Sequence, residues 1–483
     1  MTQPPMNADK RRLKTIFLSA FIRVYQRPMC LFQQPAKVRP TGIFPIRRTV
    51  MRNSIPAIVL AASAAGMFAQ PAAPTKLSLQ DAESLALKNH PEVLAAQNVY
   101  SAMNQRVTEV RSAYFPQLSG EMTGSQGNIG ARIGAGYLTD SRLFNRYGDG
   151  IIVDQLITDS GRTPNLVAST RLNAGAAGQT VQATKYDVLL RVNQAYFDTL
   201  RAQAMIRVAD ETVAARQTVS DQITTMFNNK LKSEVDVAFA NVELSRAKLM
   251  QLQAQQQVQS QFAELTRALG SQDAATYQLA DEPMPPSPPA NAEDLVQQAL
   301  NARPELAGLK LNRDAAYKFE RAERDLSLPN VKFVGVGGYM PYIDQITLPR
   351  VIPSEYEGGA INVEIPILNG GLFKARREEA HYRAMEADQR LRNEAEQIAR
   401  DVRSAWANAT VAYQRRDVTA EMVRQATLAR ELAQQRYQLG LSSIVELTQA
   451  LLNLTSAEVD DVNAKYDYQS TYAALQYTIG ALR

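Results

Sequence analysis

Residues 441–447 read Leu441-Ser442-Ser443-Ile444-Val445-Glu446-Leu447, and residues 231–237, 210 positions earlier, read Leu231-Lys232-Ser233-Glu234-Val235-Asp236-Val237. In both, a serine precedes an acid by three residues within an aliphatic setting. That is a capping box, the start of a helix. Read outward at the same offset, Ala195-Tyr196 answers to Ala405-Trp406 and Leu269-Gly270 to Ile479-Gly480. Nearer the N-terminus the offset becomes 213: His90-Pro91-Glu92-Val93-Leu94 answers to Arg303-Pro304-Glu305-Leu306-Ala307, and Phe115-Pro116-Gln117-Leu118 to Leu328-Pro329-Asn330-Val331. The step falls between 117 and 195, where a variable loop absorbs it. The chain is therefore one unit written twice. The first copy is expected over 70–282 and the second over 291–483, joined by a stiff, extended linker at 283–290 that opens Pro283-Met284-Pro285-Pro286-Ser287-Pro288-Pro289.

Each copy reads as helix, strand, loop, strand, very long helix, break, long helix. No proline occurs between Pro164 and Pro283, nor after Pro366, and both stretches are rich in Ala, Gln, Glu and Arg. Such composition is helical. The segment from Asn165 to Asn228 alone would run about 96 Å at 1.5 Å per residue. In the second copy Leu391, Ala395, Ile398, Val402, Ala405, Ala409 and Ala412 step by fours and threes, a coiled-coil seam whose alanines permit close approach. Ala399, Trp406, Tyr413 and Ala420 form a second stripe on an adjacent face. Two stripes give a helix neighbours on both sides, as a stave in a tube has; a broad core face of a globular bundle shares this periodicity.

Strands are expected at about 115–126, 148–158, 330–340 and 358–368. Ile361-Asn362-Val363-Glu364-Ile365-Pro366-Ile367 alternates cleanly and Leu118-Ser119-Gly120-Glu121-Met122-Thr123 follows period two, whereas Val334 and Val336 blur the third strand. Alternation of this kind suits a lipid-facing barrel strand, and equally a two-sheeted soluble structure. Four strands are too few to close a barrel, so several chains would have to contribute.

Composition narrows the chemistry. Of 53 Lys+Arg and 48 Asp+Glu, eleven positive charges and Asp9 lie before residue 70, leaving 42 positive against 47 negative from there on. Without its leader the chain is acidic, and a nucleic-acid partner is not expected. The one cysteine, Cys30, lies in that leader and only His90 and His381 are present, so thiolate, zinc and His-based catalytic sites have almost nothing to be built from. No enzyme activity, metal or cofactor is expected. Residues 51–69, Met51-Arg52 through an apolar run to Ala69, form a secretory signal too short to span a membrane. Met51 is read as the start, and residues 1–50 as an upstream extension, or else a basic tail. Beyond residue 69 no run is long enough for a spanning helix, so a membrane form would have to be a β-barrel.

These marks together resemble the outer membrane factors, the TolC-type outer membrane efflux family. The resemblance covers roughly residues 76–483 and rests on LSLQDAESLALKNHPEVLAA (77–96) with its copy NAEDLVQQALNARPELAGLK (291–310), AYFPQLSG after the first helix and SLPNVKFVGVGG after its counterpart, QLITDSGR and IPILNGGLFKA following the second strands, and RYQLGLSSIVELTQA at the last break. It implies a mainly α chain with a β-barrel part: a homotrimer whose four strands per chain complete a 12-stranded outer-membrane barrel on a long periplasmic tube of helices. It further implies an exit duct for efflux or type I secretion that works with a periplasmic adaptor and an inner-membrane transporter. A periplasmic gate would lie at the helix breaks. Asp236 and Tyr437 match a pair that holds neighbouring helices there, and Glu446 matches the first acid of the constriction. Gln449 stands where the prototype has a second acid, and Ser442 where it has a basic tether, which weakens the expected acidic ring and closing network. The local reading of Asp236 and Glu446 is that they close capping boxes with Ser233 and Ser443. His90, whose counterpart is Arg303, is read as a surface residue before a proline turn. The nearest rival is a periplasmic coiled-coil adaptor, which would carry one hairpin rather than two with paired strand loops.

Overall fold

The computed structural model describes residues 75–125, 132–133, 141–142, 146–271, 277–343 and 354–482; the expected signal peptide at 51–69 and the segment before it lie outside these residues. The repeat appears in the helix bounds themselves. The first copy holds α1 (Leu79–Asn89), α2 (Pro91–Arg111), α3 (Arg162–Asn228) and α4 (Glu234–Ala268). The second holds α5 (Ala292–Ala302), α6 (Pro304–Asp325), α7 (Leu372–Gln438) and α8 (Ile444–Thr478). α3 and α7 each have 67 residues, about 100 Å of helix, and α4 and α8 each have 35. α3 begins three residues earlier than Pro164 suggested. Proline is tolerated in the first turn, where its missing N–H has no partner to lose, and the Asp159 carboxylate accepts from the Thr163 N–H at 2.7 Å.

α3 is the spine. α2 and then α4 lie along one side of it and α6 and then α8 along the other, with α7 packed on α6 and α8. Small residues let these helices close: Gly308 of α6 faces Gln179, and the Ser169 hydroxyl donates to the Ala315 carbonyl at 2.8 Å. The seam foreseen on α7 is in place. Ile398, Val402 and Ala409 are fully buried, and Leu391, Ala395, Ala405 and Trp406 pack against them. The row has two open edges, α2/α4 and α7. Both carry exposed aliphatics at heptad spacing, Val235, Val242 and Leu249 on one and Val411, Val418, Leu432 and Leu439 on the other.

The strands β2 (Gln117–Ser125), β3 (Arg146–Thr158), β5 (Asn330–Ile343) and β6 (Glu355–Glu364) form one antiparallel sheet in that order. Its register places Leu118, Ile151, Val153, Phe333, Ile361 and Val363 on one face. Ser119, Glu121, Asp154, Lys332, Asn362 and Glu364 lie on the other, with Ile152, Leu156, Val334 and Val336 as apolar exceptions, while Asp149, Gln155 and Glu357 are polar exceptions on the first face. The apolar face is uncovered, Leu118 being 70% and Met122 75% exposed. β2 and β6 each leave a row of backbone groups unpaired, on the same sides as the α2/α4 and α7 edges. The fourth strand ends sooner than its alternation implied. Pairing stops at Glu364, because Pro366 has no N–H to donate, and Ile365, Ile367 and Leu368 stand exposed.

The linker is extended and is gripped through its carbonyls, as proline-rich backbone offers few donors. Trp406 Nε1 donates to the Pro289 carbonyl at 2.7 Å, Gln469 Nε2 to that of Glu282 at 3.1 Å, and the Tyr468 hydroxyl to that of Pro286. Ahead of it, β4 (Tyr277–Leu279) pairs in parallel with β1 (Thr75–Leu77). The buried Tyr196 hydroxyl sits 3.0 and 2.8 Å from the Leu77 and Ala280 carbonyls, and burial pushes its pKa up to about 12. His90 corrects the surface reading. It is buried, caps α2 through Nδ1, which accepts from the Glu92 N–H at 3.3 Å, and meets Gly270 at the end of α4. Burial holds its pKa below the ordinary value. Arg303 is buried at the matching place. Among the described residues no helix is long and apolar enough to cross a membrane, and no group of three or more His, Cys, Asp or Glu could hold a metal.

Candidate functional site

The two helix breaks, 229–233 and 439–443, are built alike. The Leu231 N–H reaches back to the Met226 carbonyl at 2.9 Å, and the Leu441 N–H to the Arg436 carbonyl at 2.8 Å. The left-handed residue that closes each cap is Lys230 in one and Gly440 in the other. Leu231, Leu439 and Leu441 project outward, each more than 65% exposed. Behind the turns lies a small core of Ile223, Ala240, Ala433, Tyr437, Ile444 and Leu447, with Val219 and Val237 against it. This core ties the α3/α4 hairpin to the α7/α8 hairpin.

Tyr437 sits in that core at 5% exposure, and its hydroxyl has no hydrogen-bond partner. The Lys232 ammonium lies over its ring, 4.1 Å from the centroid. Burial, and then the negative charge of Asp236, raise the Tyr437 pKa. The expected pair is thus brought together without a hydrogen bond. The Asp236 carboxylate is occupied with the Ser233 N–H at 3.0 Å and the Ser233 hydroxyl at 2.9 Å, a complete capping box. The second box is only half made. Ser443 Oγ accepts from the Glu446 N–H at 3.4 Å, but the Glu446 carboxylate turns away to Arg436, 3.1 Å from Nε to Oε1. Gln449 bonds along its own helix to Asn453 at 2.9 Å rather than to Asp236, Tyr437 or Glu446. Ser442 Oγ, where a basic tether was missing, is buried without a partner.

Sequence reading missed Arg436 and Lys232. Arg436 was discoverable: it and Glu446 stand equally far from the centre of the turn at Leu441, so an antiparallel hairpin closing there must set them side by side. What the site offers is a hinge-like junction of four helix ends bearing acids, a lysine and an arginine.

The family model for outer membrane efflux proteins matches residues 83–271 and again 295–481, one match per copy of the repeat. The chain belongs to the outer membrane efflux protein family. It is therefore a TolC-like, non-enzymatic channel protein of the outer membrane, with a long periplasmic helical region. The chain is similar to the outer membrane protein TolC of Salmonella enteritidis, 22% identical over 423 residues covering 84% of this chain and 83% of that one. It is also similar to the alkaline protease secretion protein AprF of Pseudomonas aeruginosa, 23% identical over 427 residues covering 84% and 85%. The fold matches the crystal structure of CusC with a TM-score of 0.72 at 18% identity, over 83% of this chain and 92% of that one.

Proposed function

We propose that three copies of this chain close into one duct, a 12-stranded outer-membrane barrel continued by a periplasmic tube of helices. In this reading the duct serves as the exit of an efflux or type I secretion assembly, with a periplasmic adaptor and an inner-membrane transporter as its partners. One observation carries the reading. The open edges of the sheet and of the helix row coincide, the β2 edge with α2/α4 and the β6 edge with α7, and both helix edges are apolar at heptad spacing. Unpaired strand edges cannot persist in lipid, and an apolar seam does not persist in water. Joining the β6/α7 side of one copy to the β2/α2/α4 side of the next satisfies both at once, and a ring leaves no edge over.

The apolar face of the sheet then meets lipid and its polar face lines the pore. The face of α7 and α8 that holds the linker, by Trp406, Tyr468 and Gln469, turns outward. The opposite, bare face lines the duct. The gate lies at the helix breaks, with Asp236 and Tyr437 holding the hairpins together, Glu446 at the constriction and Gln449 one turn on. The names of AprF and CusC's structure speak of protease secretion and of transmembrane channel formation, and both uses suit such a duct.

Cysteine crosslinking tests the assembly. Residues 70–483 contain no cysteine, so a Val242→Cys, Leu432→Cys double variant, at positions about equally far from the two helix breaks, reports only on the proposed seam. Oxidation or a short bis-maleimide should yield covalent dimers and trimers from intact outer membranes. Only monomers, with both thiols shown to be reactive, would contradict the reading.

A further inference from the structure

α7 and α8 run antiparallel, so a heptad forward on one matches a heptad back on the other. Arg415 and Arg436 on α7 are three heptads apart, as are Asp467 and Glu446 on α8. Each arginine faces the corresponding acid: Arg415 Nη1 lies 3.6 Å from Asp467 Oδ2, and Arg436 Nε lies 3.1 Å from Glu446 Oε1. Both pairs therefore occupy one face of the hairpin, about six helical turns apart. Arg415 and Asp467 line a recess with Asn408 and Thr471, on the side away from Trp406 and Tyr468, whose polar atoms reach the linker. The heptad register carries that bare face down to the helix break.

We propose that Arg436 is the charge-selectivity determinant of the constriction, its guanidinium compensating the Glu446 carboxylate of the same chain. This rests on the reading that the bare face lines the duct and that Glu446 stands at its narrow end. A ring of three bare acids would draw cations and repel anions. A ring of three compensated pairs presents little net charge, and the channel discriminates weakly until one partner is removed. Both side chains are about half exposed, so neither is needed to fold the hairpin. At a separation of about 4 Å in water, one uncompensated negative unit charge raises the local concentration of a monovalent cation about fivefold and lowers that of a monovalent anion about fivefold, about thirtyfold in their ratio.

Reversal potentials of the purified full-length protein in planar bilayers under a potassium chloride gradient test this. Arg436→Gln should raise the potassium-over-chloride permeability ratio by up to about thirtyfold and make conductance sensitive to added magnesium. Glu446→Gln should shift the ratio toward chloride, and the exchanged variant Arg436→Glu with Glu446→Arg should return near wild type. If Glu446→Gln shifts the ratio while Arg436→Gln leaves it unchanged, compensation by Arg436 is refuted and the gate position survives. If neither single variant shifts it, both residues lie off the ion path and the gate reading falls too. An exchanged variant that behaves like either single variant also counts against the pairing.

Discussion

Gly270 and Gly440 share a left-handed backbone, with φ of +68° and +75°, but not the space around them. A Cβ on Gly440 would meet nothing within 4 Å, whereas one on Gly270 would lie 2.8 Å from His90 Cα and 3.1 Å from His90 N. Alanine at 440 therefore costs only the left-handed conformation, about 1–2 kcal/mol. Alanine at 270 costs the same and must also displace backbone where α4 meets the start of α2, which adds about 1–3 kcal/mol of overpacking. Thermal midpoints of the purified protein, followed by helical circular dichroism, should fall for both variants and further for Gly270→Ala. Gly480→Ala, with a Cβ 3.2 Å from that of Ala302, should lie between them. Equal losses at 270 and 440, or a larger one at 440, would refute the close junction of α4 with α2 in the first copy.

The remaining expectations concern the sheet, the break and acid stability. Ile361→Lys puts a charge on the apolar face of the sheet and should cut the yield of assembled protein, at a cost of about 2–4 kcal/mol at mid-membrane depth, while Asn362→Lys on the polar face is tolerated; equal yields from quantitative blotting of outer membranes would contradict the assignment of faces. Because the Tyr437 hydroxyl has no partner, Tyr437→Phe should leave single-channel conductance and thermal midpoint nearly unchanged, whereas Asp236→Ala removes a capping box worth about 1 kcal/mol and should raise conductance by loosening the break; the reverse order in bilayer recordings would show that the hydroxyl is the tether. Arg191 donates to both Glu92 oxygens and holds that carboxyl below its ordinary pKa. The stability it adds is present above the unfolded glutamate value of about 4.3 and is lost as pH falls through the lowered folded value. Wild type and Glu92→Gln should thus differ slightly in midpoint at pH 7, by well under 1 kcal/mol for so exposed a pair, and converge near pH 3.

The long-range plan was legible because repetition and period are properties of the chain alone. Two offsets located both copies, the absence of proline marked the long helices, and the α7 seam named residues that are in fact buried. Local outcomes that depend on a partner from elsewhere were not legible. His90 looked like a surface turn residue because nothing nearby in sequence shows that Gly270 will close over it. Strand β6 looked longer than it is because side-chain alternation continues past Pro366, where backbone pairing cannot. At the break, the capping pattern correctly placed Ser233 with Asp236. The same pattern misled at Ser443, where Glu446 has the stronger offer of a cation, Arg436, across the hairpin. Trp406, which grips the linker, read only as an apolar stripe position, since its polar end matters only once the linker is laid against it.

The central claim is that coincident open edges close three chains into one duct. The most direct measurement is native mass spectrometry of the protein extracted from outer membranes in mild detergent, with antiparallel strand content read from the same sample by infrared spectroscopy. The account predicts a mass of three chains with the strand signal intact. A single-chain mass with that signal intact would show that the edges of β2 and β6 are satisfied some other way, and would contradict the account.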